Sequence, residues 1–177
     1  LTITHNNVTA SPPGIFINNN WRYRGDHVVS QNNLVDSMLY VECVNSIVAS
    51  NNLTNSNIIV WGSNSIIAFN NITGDSDDYG IRMGLGSNNT VCRNNIVACD
   101  WGMQVDFATN CTIFSNTVIG SAQFPVQRYY SSNNTYFHNN FISYSRIWSM
   151  ESISYDAWDD GYPSVVNYWS DYIGTDE

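Results

Sequence analysis

Apolar and polar residues alternate along most of the chain, in short runs rich in β-branched side chains. Clear examples are residues 15–17, 39–41, 58–60, 81–83 and 103–105. A period of two over such short segments predicts β-strands that bury one face. The longer period of an amphipathic helix is absent from these runs. The pattern therefore predicts an all-β protein.

An Asn-Asn doublet followed by an apolar residue recurs along the chain, at intervals of about 22 residues. Helical repeats need longer units, whereas short strands stacked in register form a solenoid in which each coil completes the core of its neighbours. We therefore predict a single-stranded parallel β-helix of about seven coils. The first residues of the doublets are Asn6, Asn32, Asn51, Asn70, Asn94, Asn116 and Asn139, and Thr117 replaces the second asparagine once.

The doublets suggest a structural role for the asparagines. The chain must bend sharply between strands, and Asn tolerates the left-handed backbone region better than other non-glycine residues. Carboxamides stacked at one height in successive coils would also hydrogen-bond to one another as an asparagine ladder. The alternative is that the ladder itself binds a sugar or a metal.

Several asparagines also match the N-glycosylation pattern. A ladder asparagine that points inward could not carry a glycan, which argues against Asn7, Asn52 and Asn71. The matches at Asn88, Asn110 and Asn133 share one column ahead of the doublets. They are the predicted acceptors of a glycoprotein, provided that this column faces solvent.

Charge and composition exclude several classes of function. The net charge is −9, and all six basic residues are arginine. A chain without lysine has no P-loop lysine or Schiff-base lysine, and it offers no basic patch for nucleic acid. No apolar run approaches the ~20 residues of a membrane span. The chain begins inside a patterned segment without a signal peptide, so we expect it to be part of something longer.

The end of the chain carries a family resemblance. Residues 158–163 read Trp-Asp-Asp-Gly-Tyr-Pro, and residues 167–172 read Asn-Tyr-Trp-Ser-Asp-Tyr. This pair resembles the closing segment of archaeal cell-surface proteins with NosD-type right-handed parallel β-helix repeats, although Val165-Val166 replaces the usual Gly-Gly. Those proteins belong to a broad group of carbohydrate-binding proteins and sugar hydrolases. The resemblance implies a right-handed helix and an extracellular or cell-surface location.

The aromatic residues of this segment predict a cap. An open solenoid end exposes strand edges, which a terminal segment can cover. We divide the chain into a β-helix at 1–153 and a capping segment at 154–177, and the alternative is a sugar-stacking platform. The rings concerned are Trp148, Trp158, Tyr162, Tyr168 and Trp169.

Metal sites find little support, although the name NosD is associated with a copper enzyme. His5 and His138 share a column but lie about 29 Å apart, too far to share one ion. A weak calcium candidate is the acidic cluster of Asp75, Asp77 and Asp78, for which a solvated turn is the alternative. The same alternative applies to Asp156, Asp159 and Asp160.

The cysteines show no metal-binding spacing either. Cys43, Cys92, Cys99 and Cys111 contain no CxxC pair, so a zinc site is poorly supported. An exported protein could use them in disulfides. We favour buried free thiols, because small thiols fill solenoid interiors.

A catalytic site would lie on the outward positions of one strand stack. Glu42 and Asp106 fall in one outward column about 14 Å apart, whereas a glycosidase pair needs about 5–9.5 Å. Arg82 and Asp106 lie in adjacent coils with about 8 Å between their backbones, so their side chains could meet. A polysaccharide lyase or hydrolase using Arg82 and Asp106 is the alternative function, and a surface ion pair is the simpler interpretation.

The remaining outward residues favour carbohydrate. Aromatic rings beside amides suit sugars, whose C–H faces stack and whose hydroxyls hydrogen-bond, but exposed rings also form protein interfaces. We predict a non-catalytic extracellular or envelope protein: a structural subunit, adhesin or glycan binder that contacts glycans or neighbouring subunits and could self-assemble. The candidate carbohydrate-binding residues are Phe16, Tyr40, Trp61, Gln104, Gln127 and Tyr129.

Overall fold

The chain is a three-sided solenoid of parallel β-strands. The computed structural model describes residues 1–10, 14–18, 25–74, 79–142, 148–150 (backbone only), 155–159, 161 and 167–170. Successive coils contribute strands to three parallel sheets of seven, eight and seven strands. The predicted right-handed parallel β-helix of about seven coils is thereby confirmed.

Sheet 1 begins each coil, and its strands pair in register from the first coil to the last. Its strands are β1 (Thr2–Thr4), β4 (Val28–Ser30), β7 (Ile47–Ala49), β10 (Ile66–Ala68), β13 (Thr90–Cys92), β16 (Thr112–Phe114) and β19 (Thr135–Phe137).

Sheet 2 follows sheet 1 after a corner at the first asparagine of each doublet. Its strands are β2 (Asn7–Thr9), β5 (Asn33–Val35), β8 (Asn52–Thr54), β11 (Asn71–Thr73), β14 (Asn95–Val97), β17 (Thr117–Ile119), β20 (Asn140–Ile142) and β22 (Tyr168–Trp169).

Sheet 3 has the longest strands and closes each coil. Its strands are β3 (Ile15–Asn18), β6 (Met38–Glu42), β9 (Asn57–Trp61), β12 (Tyr79–Gly84), β15 (Trp101–Asp106), β18 (Phe124–Tyr129) and β21 (Trp148–Met150).

The interior is filled by the alternating apolar residues. Leu34, Leu53, Ile72 and Ile96 occupy one inward column of sheet 2 and are fully buried. Each such side chain contributes roughly 1.5–3 kcal/mol by leaving water, and each packs on the same position of the next coil. The core therefore runs the length of the solenoid.

The predicted asparagine ladder is present at the corner between sheets 1 and 2. Asn51 donates from Nδ2 to Asn70 Oδ1 at 3.0 Å, and Asn70 donates to Asn94 Oδ1 at 3.0 Å. Each ladder carboxamide also accepts a backbone N–H from the preceding coil, as Asn94 does from Asn70 N at 3.0 Å. The ladder thus satisfies backbone groups that the corner takes out of the sheets.

The expectation that these same asparagines adopt the left-handed backbone conformation is wrong. The positive φ angles fall one residue earlier, for example at Ser50 (56°), Phe69 (56°) and Arg93 (55°). The ladder residue must direct its side chain into the corner. The left-handed bend therefore falls on the preceding residue, whose side chain is exposed.

The C-terminal segment covers the end of the core with two tryptophans. Trp158 stacks on Tyr136, with ring centroids 4.4 Å apart, and Trp169 stacks on Phe141 at 4.2 Å. Asn167 prolongs the ladder, accepting from Asn139 Nδ2 at 2.8 Å. The predicted aromatic cap therefore begins as one more coil. Of the other predicted cap residues, Tyr168 is exposed, and Tyr162 and the Trp148 side chain lie outside the described residues.

One acidic residue of the capping segment is buried, contrary to the expected solvated turn. The Asp156 side chain has no exposure and forms an ion pair with Arg128 Nη1 at 2.6 Å. Its other oxygen accepts the backbone N–H of Asn134 at 2.8 Å. The correction follows from the coil stacking, which places Asp156 at the end of an inward corner column. Asp159 is exposed as expected, and Asp160 lies outside the described residues.

Candidate functional site

The outward positions of sheet 3 form two columns, hereafter the outer face of sheet 3. Strand pairing confirms the predicted alignment of both columns. Trp148 extends the first column by pairing with Gln127. The first column contains Phe16, Tyr40, Ile59, Arg82, Gln104 and Gln127, and the second contains Asn18, Glu42, Trp61, Gly84, Asp106 and Tyr129.

Arg82 and Asp106 meet at the centre of this face, as the spacing allows. Arg82 Nε and Nη2 lie 3.0 and 2.9 Å from Asp106 Oδ2. The Arg82 side chain keeps 33% of its exposure and that of Asp106 only 9%. Burial raises the pKa of the Asp106 carboxyl, and the hydrogen bond and charge of Arg82 oppose that shift. The Asp106 carboxylate is thus largely shielded from water and is bound by Arg82.

The Arg82 guanidinium also lies over two aromatic rings. Its central carbon is 5.4 Å from the Tyr79 ring centroid and 5.8 Å from that of Trp61. Planar stacking of this kind suits arginine and not lysine. Asp106, Tyr79 and Trp61 therefore all contact the Arg82 guanidinium at the centre of the face.

Aromatic rings on this face stack from coil to coil. Phe16 and Tyr40 lie 4.8 Å apart with 13° between their planes, and Tyr79 and Trp101 lie 4.8 Å apart with 26°. Rings stacked in this way cover one another's faces, whereas the predicted sugar binding relied on ring faces that are open to C–H groups. They offer a sugar mainly their apolar rims.

Glu42 is occupied within the protein and does not approach Asp106. Its Oε2 accepts hydrogen bonds from Tyr40 Oη at 2.9 Å and from Asn18 Nδ2 at 2.9 Å. Burial, followed by the contact with Glu42, raises the pKa of Tyr40 to about 12. Trp61 and Gly84 separate Glu42 from Asp106 in the column.

One buried polar atom on each of Trp61, Trp101, Gln104 and Asp106 has no hydrogen-bond partner. Gln104 uses only its Nε2, which donates to Gln127 Oε1 at 3.1 Å. Asp106 uses only Oδ2, because Arg82 contacts that oxygen alone. Unsatisfied polar groups normally cost about 1–3 kcal/mol each, so their concentration here calls for a partner. The four atoms are Trp61 Nε1, Trp101 Nε1, Gln104 Oε1 and Asp106 Oδ1.

Gly84 is closely enclosed between Trp61 and Asp106 in the second column. A Cβ atom on Gly84 would lie 3.1 Å from Asp106 O, 3.4 Å from Asp106 Cβ and 3.7 Å from Trp61 Nε1. The absence of a side chain at Gly84 thus allows Trp61 and Asp106 to approach from two sides.

Tyr79 and Trp101 belong to the site but were missed by sequence reasoning. Both residues lie before Ile81 and Met103, where the predicted two-residue alternation begins. A usable signal existed, because each aromatic residue precedes a polar member of the first column, Arg82 or Gln104, by three positions.

The predicted glycan acceptors lie at exposed corners between sheets 3 and 1. Asn88, Asn110 and Asn133 are exposed and have positive φ angles of 58°, 55° and 56°. Their glycosylation stays a prediction.

The expectation for the other matches to the glycosylation pattern was wrong. Asn7, Asn52 and Asn71 are the second residues of their doublets and are exposed on sheet 2 instead of pointing inward. The two-residue period of a strand places neighbours on opposite faces. The carboxamides of Asn52 and Asn71 are nevertheless engaged, because Asn52 Nδ2 donates to Asn33 Oδ1 at 2.8 Å and Asn71 Nδ2 to Asn52 Oδ1 at 2.9 Å.

The cysteines are free thiols, as predicted. All four are buried: Cys43, Cys92, Cys99 and Cys111. Within the described residues, no group of three or more His, Cys, Asp or Glu side chains could hold a metal ion. The calcium candidates Asp75, Asp77 and Asp78 lie outside the described residues, so that site stays a prediction.

The fold and its corner ladders define a right-handed parallel β-helix protein of the repeat class. A model of the family described as "Periplasmic copper-binding protein (NosD)" matches residues 1–174. The chain therefore belongs to the NosD family. No curated protein and no solved structure matches it. In the part of the chain that the structure describes, no helix is long and apolar enough to cross a membrane.

Proposed function

We propose that this chain is a non-catalytic module of an exported protein and binds a neutral glycan along the outer face of sheet 3. The observation that carries this proposal is the set of unpartnered polar atoms there, which includes two N–H donors, of Trp61 and Trp101, and two acceptors, of Gln104 and Asp106. A sugar hydroxyl both donates and accepts, so one ligand class can satisfy all four.

The setting of these atoms also favours a sugar. All four atoms are buried in this structure, so the side chains that cover them must shift before a sugar hydroxyl can reach them. Apolar ring rims surround them, notably the stacked pair of Tyr79 and Trp101. Pyranose rings combine C–H groups with hydroxyls and fit such a mixed surface.

The charges on the face favour a neutral glycan over an acidic one. Asp106 neutralises Arg82, and Glu42 leaves the face with an excess of negative charge. The chain as a whole carries a net charge of −9, which would repel a polyuronate at low ionic strength.

The alternative function, a lyase or hydrolase, receives less support from this geometry. An arginine that acts as a base must reach a substrate proton, whereas Arg82 Nε and Nη2 are both bound to Asp106 Oδ2. The nearest second carboxylate in the column, Glu42, is bound to Tyr40 and Asn18. Among the described residues of this face, no second carboxylate lies beside Asp106 to complete an acid–base pair.

Copper is not part of the proposal, although the family description names it. The donor set does not fit, because the described residues contain no cluster of three His, Cys, Asp or Glu side chains. The word "periplasmic" in that description does support a location outside the cytoplasm. We place the chain at a cell surface, in keeping with the archaeal surface proteins that its closing segment resembles.

Affinity electrophoresis in gels containing polysaccharide tests the function. We expect retardation by at least one neutral polysaccharide among xyloglucan, mannan and mixed-linkage glucan, and none by polygalacturonate or alginate. Trp61→Phe and Gln104→Ala should weaken retardation, whereas Thr54→Ala on sheet 2 should not. Retardation by no neutral polysaccharide would refute the proposal, and release of reducing ends or unsaturated products would establish the enzymatic alternative.

A further inference from the structure

Three large apolar residues project from the corner that follows sheet 3. Leu85, Phe107 and Tyr130 are 41%, 49% and 51% exposed. Each comes directly after a residue of the second column, and they lie in successive coils, where Leu85 N donates to Asp106 O and Phe107 N to Tyr129 O. We call these three residues the apolar ridge.

The backbone of the ridge is unfavourable for such residues. Their φ angles are 51°, 49° and 46°, a region that bulky side chains rarely adopt. In the preceding coil the equivalent position is Gly62, whose N–H makes the same type of bond to Gly84 O. The fold therefore does not require a large side chain here.

Other corners place mostly polar or small residues at positive φ. Only Phe69 is both large and apolar among the described ones outside the ridge. Those other positions are His5, Ala10, Gln31, Asp36, Asn45, Ser50, Asn55, Asn64, Phe69, Asn88, Arg93, Ala98, Asn110, Ser115, Asn133 and His138. Positive φ recurs at the other corners too and is a feature of the fold. The ridge differs because large apolar side chains occupy such a position in three consecutive coils, and bulky residues held at these angles point to a function.

The rings of the ridge are held in a fixed arrangement. Phe107 and Tyr130 stack with centroids 5.4 Å apart and 16° between their planes. Tyr129 meets Phe107 edge-on at 5.3 Å and Tyr130 edge-on at 4.4 Å. An ordered apolar strip thus borders the column that contains Gly84 and Asp106.

We propose that the apolar ridge is the hydrophobic wall of the glycan site, in contact with the C–H groups of a sugar ring whose hydroxyls reach Asp106 Oδ1 and Gln104 Oε1 once the side chains over these buried atoms shift. This inference rests on the function proposed above. The occupant is a sugar because the strip is narrow and adjoins unpartnered polar atoms. Three side chains fall well short of the ~800 Å² per partner that a stable protein interface buries.

Replacing the ridge with residues suited to its backbone tests the inference. Asn tolerates positive φ, so the Phe107→Asn, Tyr130→Asn double variant should keep its Tm within a few degrees of the parent. Its affinity for a neutral polysaccharide that retards the parent should fall about tenfold. A residue with a purely structural role would lower Tm instead and leave affinity per folded molecule unchanged.

Phe69→Asn is the matched control, because Phe69 is 54% exposed with φ of 56° at a different corner. It should retain parental affinity, and an equal loss in this variant would overturn the inference. Unchanged affinity in the ridge variant would also overturn it. If Trp61→Phe and Gln104→Ala weaken binding while the ridge variant does not, the proposed function stands and the ridge has no part in it. A parent that dimerises in sedimentation through the ridge, with glycan affinity unaffected by the double variant, would identify a protein contact instead.

Discussion

Asn70 and Asn71, adjacent in the chain, donate their side-chain hydrogen bonds in opposite directions along the solenoid. Asn70 Nδ2 donates to Asn94 Oδ1 in the following coil at 3.0 Å. Asn71 Nδ2 donates to Asn52 Oδ1 in the preceding coil at 2.9 Å. The doublet therefore builds two ladders, one buried and one on the surface of sheet 2.

The opposite directions have an electrostatic consequence. Each ladder is a row of aligned amide dipoles, and two neighbouring rows of opposite direction partly cancel. The inner ladder additionally serves backbone groups, as Asn70 Nδ2 does for Val48 O at 2.9 Å. The outer ladder is exposed and can exchange its partners for water. The two rows should therefore differ in their contribution to stability.

Alanine substitutions in one doublet measure this difference. Asn94→Ala should lower the free energy of unfolding by about 4 kcal/mol, because it leaves several buried groups, including Ile67 O and Asn70 N, without a partner. Asn95→Ala should cost less than about 1 kcal/mol, since its partners are exposed. Urea denaturation gives both values. Equal losses would show that burial does not distinguish the ladders.

Asp106→Asn should change the pH dependence of stability. Burial raises the pKa of Asp106 above its ordinary value of 3.8, with Arg82 opposing. The folded state therefore keeps this proton at pH values where the unfolded chain has lost it, so the Asp106 contribution to stability falls as pH rises. The stability of the variant relative to the parent should then increase from about pH 3 to pH 7. Urea titrations across this range test it, and a decrease would contradict the raised pKa.

Glycosylation should follow the exposure of the carboxamide and the weakness of its hydrogen bonds. Asn88 Nδ2 reaches Asn64 Oδ1 only at 3.4 Å. In a host that glycosylates asparagine, peptide mass spectrometry should find glycans at Asn88, Asn110 or Asn133. Asn52 and Asn71 should remain unmodified, because their Nδ2 atoms donate within the outer ladder. Occupancy at Asn52 or Asn71 alone would show that the ladder does not protect these side chains.

The cysteine thiols should not react with alkylating reagents in the folded protein. Burial raises the pKa of the thiols of Cys43, Cys92 and Cys111, which lowers the fraction of reactive thiolate. Iodoacetamide should leave the folded protein unlabelled within minutes and label all four thiols in urea. Addition of a reductant should not change Tm. A fall in Tm on reduction would indicate a disulfide.

The Arg128–Asp156 pair should be essential to the capped end. Asp156→Ala removes the carboxylate that binds a largely buried guanidinium and accepts the Asn134 N–H, so it should cost about 3–5 kcal/mol in unfolding free energy. The exposed Asp159 supplies the control, because Asp159→Ala removes only a hydrogen bond to Gly161 N. A similar small effect of both substitutions in thermal and urea unfolding would argue against this role.

The repeat made much of the architecture predictable from the sequence. A solenoid has one register for all coils, so aligning the doublets also aligned Arg82 with Gln104 and Gly84 with Asp106, as the strand pairs confirm. Local departures from the repeat could not be predicted from the sequence. Tyr79 and Trp101 fall outside the simple alternation, and Asp156 replaces an amide in a corner column, which no spacing rule indicated.

The sequence by itself determined the class of fold, the ladder and the alignment of Arg82 with Gln104 and of Gly84 with Asp106, because period and register depend on distances along the chain. Only the tertiary structure decided which polar atoms of that face lack partners, that its rings cover one another, and that the ridge residues hold their side chains at positive φ. These properties depend on side-chain rotation and packing between coils. A one-dimensional pattern, which fixes only the side of the strand on which a residue lies, does not specify them.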